Sequence, residues 1–292
     1  MSTQRFIAIA EPDHQQTQQE TQQVPTTGGI SYQERGPADG TPMLFLHGLG
    51  GGAGQFAAQL AFFGGAGFRA LAWDMPGYGG SAPLPLVSMD ALAAALVAFI
   101  AALRLDRPIL VGHSLGGMVL LQYLAHALPG SRPGGSRAVV LSQTSAIFGA
   151  KDPAWAAEFI QSRLAPLDAG QTLQALAPGL VAAMVGDEAD QAGLALAAEI
   201  MGRTPASSYR DSLRAMLDFD QRGVLPHITI PVLVLSGARD QNAPPAGMQR
   251  MAARIPGARY AEMASTGHLA HLERPDAFNR IVMEFLPRLR LD

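Results

Sequence analysis

Cysteine is absent from the 292-residue chain. That excludes disulfides, a thiol nucleophile and any cysteine-ligated metal centre. Lysine is almost absent as well. Lys151 stands alone, in "FGAKDPAW", so Schiff-base or pyridoxal phosphate chemistry would depend on that one residue. Charge of either sign is sparse, with charged residues at 15% and a formal net charge of −3. No basic stripe exists to meet a phosphate backbone, which argues against nucleic acid or another polyanion as partner. Long apolar runs are missing too. The longest, Ala91 to Leu103, falls short of the roughly 20 residues that cross a bilayer. Its bulky members Leu92, Leu96, Phe99, Ile100 and Leu103 recur at helical spacing, so it reads as a packed helix. The N-terminus lacks a charged segment followed by a long apolar one, and "FIAIA" is too short for a signal-peptide core. The expectation is a soluble, cytoplasmic protein with no membrane partner.

What is present is apolar material and glycine. Hydrophobic residues make up 48% of the chain, enough for one large α/β domain with an insertion. Residues 1–25 include "HQQTQQETQQ" and read as a glutamine-rich leader, in which "FIAIA" could add an edge strand. From Gly29 the pattern alternates. Strands are expected at 30–35, 42–47, 68–73, 107–112, 138–143, 230–236 and 259–263, and helices at 88–103, 115–128, 246–255 and 276–289. Runs such as "PILVG", "AVVLS" and "PVLVLSG" are continuously apolar, as in parallel strands covered on both faces. The expected fold is α/β, a doubly wound and mostly parallel sheet. Its core is assigned to 26–147 and 223–292. Between them, 148–222 offers no strand but four helical patterns, and reads as an inserted helical cap over the sheet's C-terminal edge.

Two glycine-rich turns carry the chemistry. The first, "PMLFLHGLGGGAG" at Pro42 to Gly54, runs from a strand into a turn whose N–H groups face outward. Gly48, Gly50 and Ala53 fit a dinucleotide fingerprint, and Asp74 lies about 20 residues on, where a ribose-binding acid belongs. The second is Gly112-His113-Ser114-Leu115-Gly116, between an apolar strand and an apolar helix. That is the context in which G-x-S-x-G lifts a nucleophilic serine above a sheet edge. A serine needs a base to remove its proton. In such a fold an acid and a histidine follow in that order, each after a later strand. Asp240 follows "PVLVLSG", and His268 follows the last strand in a Thr-Gly-His turn. After the 138–143 strand only Ser142, Gln143 and Thr144 occur, with no carboxylate. His271, three positions beyond His268, lies past the small-residue turn and is expected to pair with Glu273 or to pack. The serine reading explains both glycine turns together with Asp240 and His268. The dinucleotide reading explains only the first turn and Asp74. The first turn is therefore assigned to an oxyanion, with the Leu49 and Leu115 N–H groups as donors.

The pieces "HGLGG" (47–51), "DMPGYGGS" (74–81), "GHSLGG" (112–117), "GARD" (237–240) and "GHLAHLERP" (267–275) resemble the α/β-hydrolase superfamily, over about residues 24 to 290. The resemblance implies the fold, a triad of Ser114, Asp240 and His268, and an acyl-enzyme mechanism needing no metal or organic cofactor. The segment "AARIPGARYAEMASTGHLAHLERPDAFN" resembles 3-oxoadipate enol-lactonases and related carboxylesterases, which implies a small ester or lactone substrate. Carbon–carbon bond hydrolases, close cousins, commonly carry Asn at the position of His113 and Trp at that of Leu269, so the chain departs from them twice. Carbon–carbon hydrolysis, perhydrolysis and acyl transfer remain alternatives in the same site, and a ligand receptor that keeps the fold is a further one. Gly48, His113, Phe148 and Trp155 are the candidate substrate contacts. His47 and Asp74 are expected to brace loops. Trp155, Phe159, Met184, Met201 and Met216 are expected chiefly as cap core. Arg222 and Arg239 could meet a substrate carboxylate or pair with Asp218 or Asp220.

Overall fold

The computed structural model describes residues 3–7, 29–126, 135–148, 152–187 and 189–286. The glutamine-rich stretch and Lys151 lie outside them. Among the described residues eight strands form one sheet, in the order β1-β2-β4-β3-β5-β6-β7-β8. They are β1 (Thr3–Ile7), β2 (Ile30–Arg35), β3 (Pro42–Leu46), β4 (Arg69–Trp73), β5 (Ile109–His113), β6 (Ala138–Ser142), β7 (Val232–Gly237) and β8 (Arg259–Met263). β1 and β2 run antiparallel to their neighbours. All other pairings are parallel. The expected edge strand exists, but it begins at Thr3, ahead of "FIAIA".

Alternation along the strands fills both faces. Met43, Phe45, Ile109 and Val111 are fully buried on one side, against α1 (Ala57–Gly65) and α10 (Pro275–Phe285). Leu44, Leu46, Trp73 and Leu110 are fully buried on the other, against α2 (Met89–Ala102), α3 (Leu115–His126) and α8 (Pro245–Ala252). Successive strand residues point to opposite faces, so covering both faces requires the unbroken apolar runs. α1 is the longest helix that the sequence pattern does not predict. It follows the glycine loop and ends on Gly64 and Gly65, poor helix formers, and is held by burial of Leu60 and Phe63.

Between β6 and β7 lie α4 (Pro153–Asp168), α5 (Leu173–Ala182), α6 (Gln191–Arg203) and α7 (Ala206–Ala215). Asp152, Thr172 and Asp190 cap the first three, each side chain accepting a backbone N–H. The two ends of this helical block are stitched together. Phe148 N–H donates to Phe219 O at 2.9 Å, and Gln221 N–H donates to Ala146 O at 2.7 Å. Among the described residues no helix is long and apolar enough to cross a membrane.

The register sets up the site. Leu46 lies opposite Gly112, and His113 opposite Ser142. Ser142 lies opposite Leu235, and Gly237 opposite Met263. The loops leaving β3, β5, β6, β7 and β8 therefore emerge at one edge. The short α9 (Ala270–Glu273) follows the last of them.

Candidate active site

Ser114 lies in the turn from β5 to α3 with φ of +50°, a left-handed conformation that a non-glycine residue adopts only under constraint. The constraint is visible in its backbone partners. Ser114 N–H donates to Ser142 O at 3.0 Å, and its carbonyl accepts from Gly117 N–H (2.9 Å), Met118 N–H (3.1 Å) and the Thr144 hydroxyl (2.7 Å). The flanking glycines leave room for the turn. A Cβ on Gly112 would stand 2.7 Å from Gly116 O, and one on Gly116 would stand 2.3 Å from Leu46 O.

His268 and Asp240 meet this serine. Asp240 is buried, and its Oδ1 accepts from Asn242 N–H (2.8 Å) and Ala243 N–H (3.0 Å). Its Oδ2 lies 2.8 Å from His268 Nδ1. A carboxylate can only accept, so Nδ1 carries the proton. Nε2 is then the acceptor, 2.9 Å from Ser114 Oγ. Three loops from three strands thus deliver one continuous line of hydrogen bonds.

The loop after β3 runs alongside. A Cβ on Gly48 would lie 3.0 Å from both Ser114 Cβ and His113 Nδ1, so this loop can approach the serine only as glycine. Leu49 and Leu115 follow Gly48 and Ser114 directly. Among the described residues neither of their N–H groups donates to another protein group.

Asp74 is committed to bracing. Its Oδ1 accepts from Ala53 N–H at 2.8 Å, and its Oδ2 accepts from the Ser31 hydroxyl at 2.9 Å and from Gln4 at 2.8 Å. A buried acid whose oxygens are taken up by the loop after β3 and by β1 and β2 is not the ribose-binding acid of a dinucleotide fold. His47 braces as well. Met75 N–H donates to its Nε2 (2.9 Å), so Nδ1 bears the proton and donates to Gly48 O (2.8 Å).

A cavity of about 380 Å³ opens above Ser114, walled on the sheet side by Gly48, Leu49, His113 and His268. Phe148 and Trp155 also line it. With Phe159 they form a ring cluster, with centroids 5.2 to 5.6 Å apart. Trp155, Phe159, Met184, Met201 and Met216 all line the cavity, while Met201 and Met216 are at the same time buried core members, as expected, with Phe159 and Met184 packed against the core. The helices of the 148–222 block surround a space, so one apolar helix face both packs and lines.

His113 donates from Nε2 to His268 O at 2.7 Å. Burial, followed by the neighbouring His271 and His268 rings, holds its pKa well below the ordinary histidine value. His271 is buried and stacks on Phe56 at 4.8 Å, with neither ring nitrogen hydrogen-bonded to protein. It does not pair with Glu273. The Glu273 carboxylate instead accepts from the N–H groups of Gly186, Gly267 and Leu269.

Arg222 pairs with Asp220 at 2.6 Å and Arg239 with Asp187 at 2.9 Å, outside the cavity wall. The cation that does line the cavity is Arg163 of α4, beside Tyr209 of α7. Sequence reasoning missed both. In sequence they are ordinary helix residues, and only the folded cap turns them inward.

Comparison with known proteins bears on the fold. The family model described as "Alpha/beta hydrolase family" matches residues 43–281. The chain is 26% identical over 263 residues to 3-oxoadipate enol-lactonase 2 from Acinetobacter baylyi, covering 89% of this chain and 93% of that protein. It is 27% identical over 266 residues to a 2-succinyl-6-hydroxy-2,4-cyclohexadiene-1-carboxylate synthase from Serratia proteamaculans, covering 87% and 96%. Among solved structures, the enol-lactonase from Burkholderia xenovorans LB400 superposes with a TM-score of 0.74 at 26% identity, covering 89% of this chain and 96% of that one.

Proposed function

The chain belongs to the alpha/beta hydrolase family, and from that premise we propose that it is a serine hydrolase cleaving a small carboxylic ester or lactone through an acyl-enzyme. The observation that carries this reading is the unbroken line Asp240–His268–Ser114, with contacts of 2.8 and 2.9 Å, ending inside a walled cavity. Similarity to two enol-lactonases supports the substrate class.

The steps follow from the hydrogen-bond directions. His268 Nε2 takes the Ser114 proton as Oγ attacks the acyl carbonyl. Asp240 keeps the ring oriented and stabilises its cationic form. The oxygen that gains charge is received by the Leu49 and Leu115 N–H groups, the latter at the positive end of α3. The alcohol or enolate leaves with the proton from His268, and water, deprotonated in turn by His268, releases the acid. The 148–222 block acts in this scheme as a cap that selects substrates, with Phe148 and Trp155 among its contacts.

Ser114→Ala is expected to lower turnover of a simple ester by roughly 10⁶-fold, as loss of the nucleophile does in a comparable triad, with the fold intact by circular dichroism. A fluorophosphonate probe should label wild type at Ser114, mapped by mass spectrometry. Retention of a tenth of wild-type activity in the variant would exclude Ser114 as nucleophile.

A further inference from the structure

The cavity wall is apolar along α5 and α6, where Leu180, Val181 and Met201 face it, but it carries one guanidinium. Arg163 is half-buried, with its Cζ 3.6 Å from the centroid of the Phe159 ring. Tyr209 is also on the wall and nearly fully buried. The neighbouring arginines of the cap all find carboxylates: Arg203 with Glu199, Arg210 with Asp168, Arg214 with Asp211. Arg163 pairs with no carboxylate among the described residues.

A cation at an apolar wall loses hydration. An aromatic face and a phenol oxygen restore part of it. Burial lowers the Arg163 pKa, with Tyr209 opposing that shift. A guanidinium presents parallel N–H groups that match a carboxylate. The Tyr209 phenol lines the same cavity and supplies an O–H that can donate to the same anion. The two side chains come from different helices, α4 and α7, and line the same cavity as Ser114.

Resting on the reading of Ser114 as nucleophile, we propose that the natural substrate carries a free carboxylate on its acyl portion, remote from the scissile carbonyl, and that Arg163 and Tyr209 bind it. The same residues then hold the substrate and the acyl-enzyme. Arg163 is a specificity residue in this scheme and takes no part in proton transfer.

The test compares kcat/KM for mono(4-nitrophenyl) esters of succinic, glutaric and adipic acids with neutral 4-nitrophenyl esters of matching chain length. The ratio of half-ester to neutral ester within one protein does not depend on how much of it is folded. In wild type this ratio should exceed tenfold for the best-fitting chain length. In Arg163→Gln it should fall by about 10- to 100-fold, mainly through KM, the range expected for a hydrogen bond to a charged group. Arg163→Lys should fall between, and Tyr209→Phe should lose less than Arg163→Gln. A ratio near one in wild type, or one unmoved by Arg163→Gln, overturns the proposal while leaving ester hydrolysis in place. If neither ester class is turned over, the hydrolase reading is what fails. Calorimetric titration with glutarate and adipate then decides the anion site: binding to wild type that Arg163→Gln abolishes upholds it, and absence of binding sinks it.

Discussion

His268 has a partner on each ring nitrogen, whereas His271 has none. His268→Ala is therefore expected to remove activity about as completely as Ser114→Ala, because triad members act as a unit. His271→Phe, which keeps the stack on Phe56, should leave most of it. Live His268→Ala beside dead His271→Phe would reverse the assignment. The buried rings also shape stability against pH. Burial pushes the His271 pKa down to about 3 and lowers those of His113 and His47, all below the unfolded value of roughly 6.5. Above that value the rings are neutral in both states and add no pH dependence to stability. As pH falls, the unfolded chain takes up protons that the folded one refuses, so stability drops. Each such ring costs up to about 1.4 kcal/mol per pH unit. Urea unfolding at pH 7 and pH 5 should show His271→Phe losing about 2 kcal/mol less than wild type over that interval; equal losses would refute the sign. At this scale Ser114, Asp240 and His268 were legible because each sits at a strand end marked by small residues. Arg163 and Tyr209 carried no such mark, since only packing decides which way a cap side chain points.

The carboxylate of Glu273 joins two elements by receiving N–H groups from both. Gly186 belongs to the stretch between α5 and α6, while Gly267 and Leu269 belong to the loop that carries His268. His268 N–H donates in turn to Met184 O at 2.6 Å. Replacing Glu273 by Gln puts an amide NH₂ against backbone donors in a buried site. Destabilisation of about 3 kcal/mol is expected, together with faster hydrogen exchange at Gly186 and Gly267. Unchanged exchange at those two amides would show that the clamp is unimportant. The strands were legible as unbroken apolar runs, and the four helices of the 148–222 block as helical patterns in a stretch that offers no strand. α1 was not, because a helix that ends in Gly64-Gly65 and has no capping side chain is formed by tertiary burial, which overrides local propensity.

Across the whole molecule, a sheet whose central strands are buried on both faces carries a helical block whose two ends meet at a seam, Ala146–Phe148 to Phe219–Gln221. The order of elements implied the sheet and the place of the insertion. The cavity was not legible, since its walls come from cap and core together. Phe148→Ala and Trp155→Ala should shift the preferred acyl chain length while moving the unfolding midpoint little. A full panel of such variants with one unchanged substrate profile would rule out the selecting role of the cap.

The chain contains two tryptophans, and the fold divides them between core and cap. Trp73 is fully buried in β4, and Trp155 is 48% exposed beside the cavity. Their fluorescence is therefore separable. Trp73 should emit to the blue and ignore iodide, while Trp155 should emit to the red and be quenched by it. Trp155→Phe isolates the core signal and Trp73→Phe isolates the cap signal. Heated side by side, the two variants would show whether the cap loosens before the sheet melts, and a ligand entering the cavity would dim one lamp and leave the other alight.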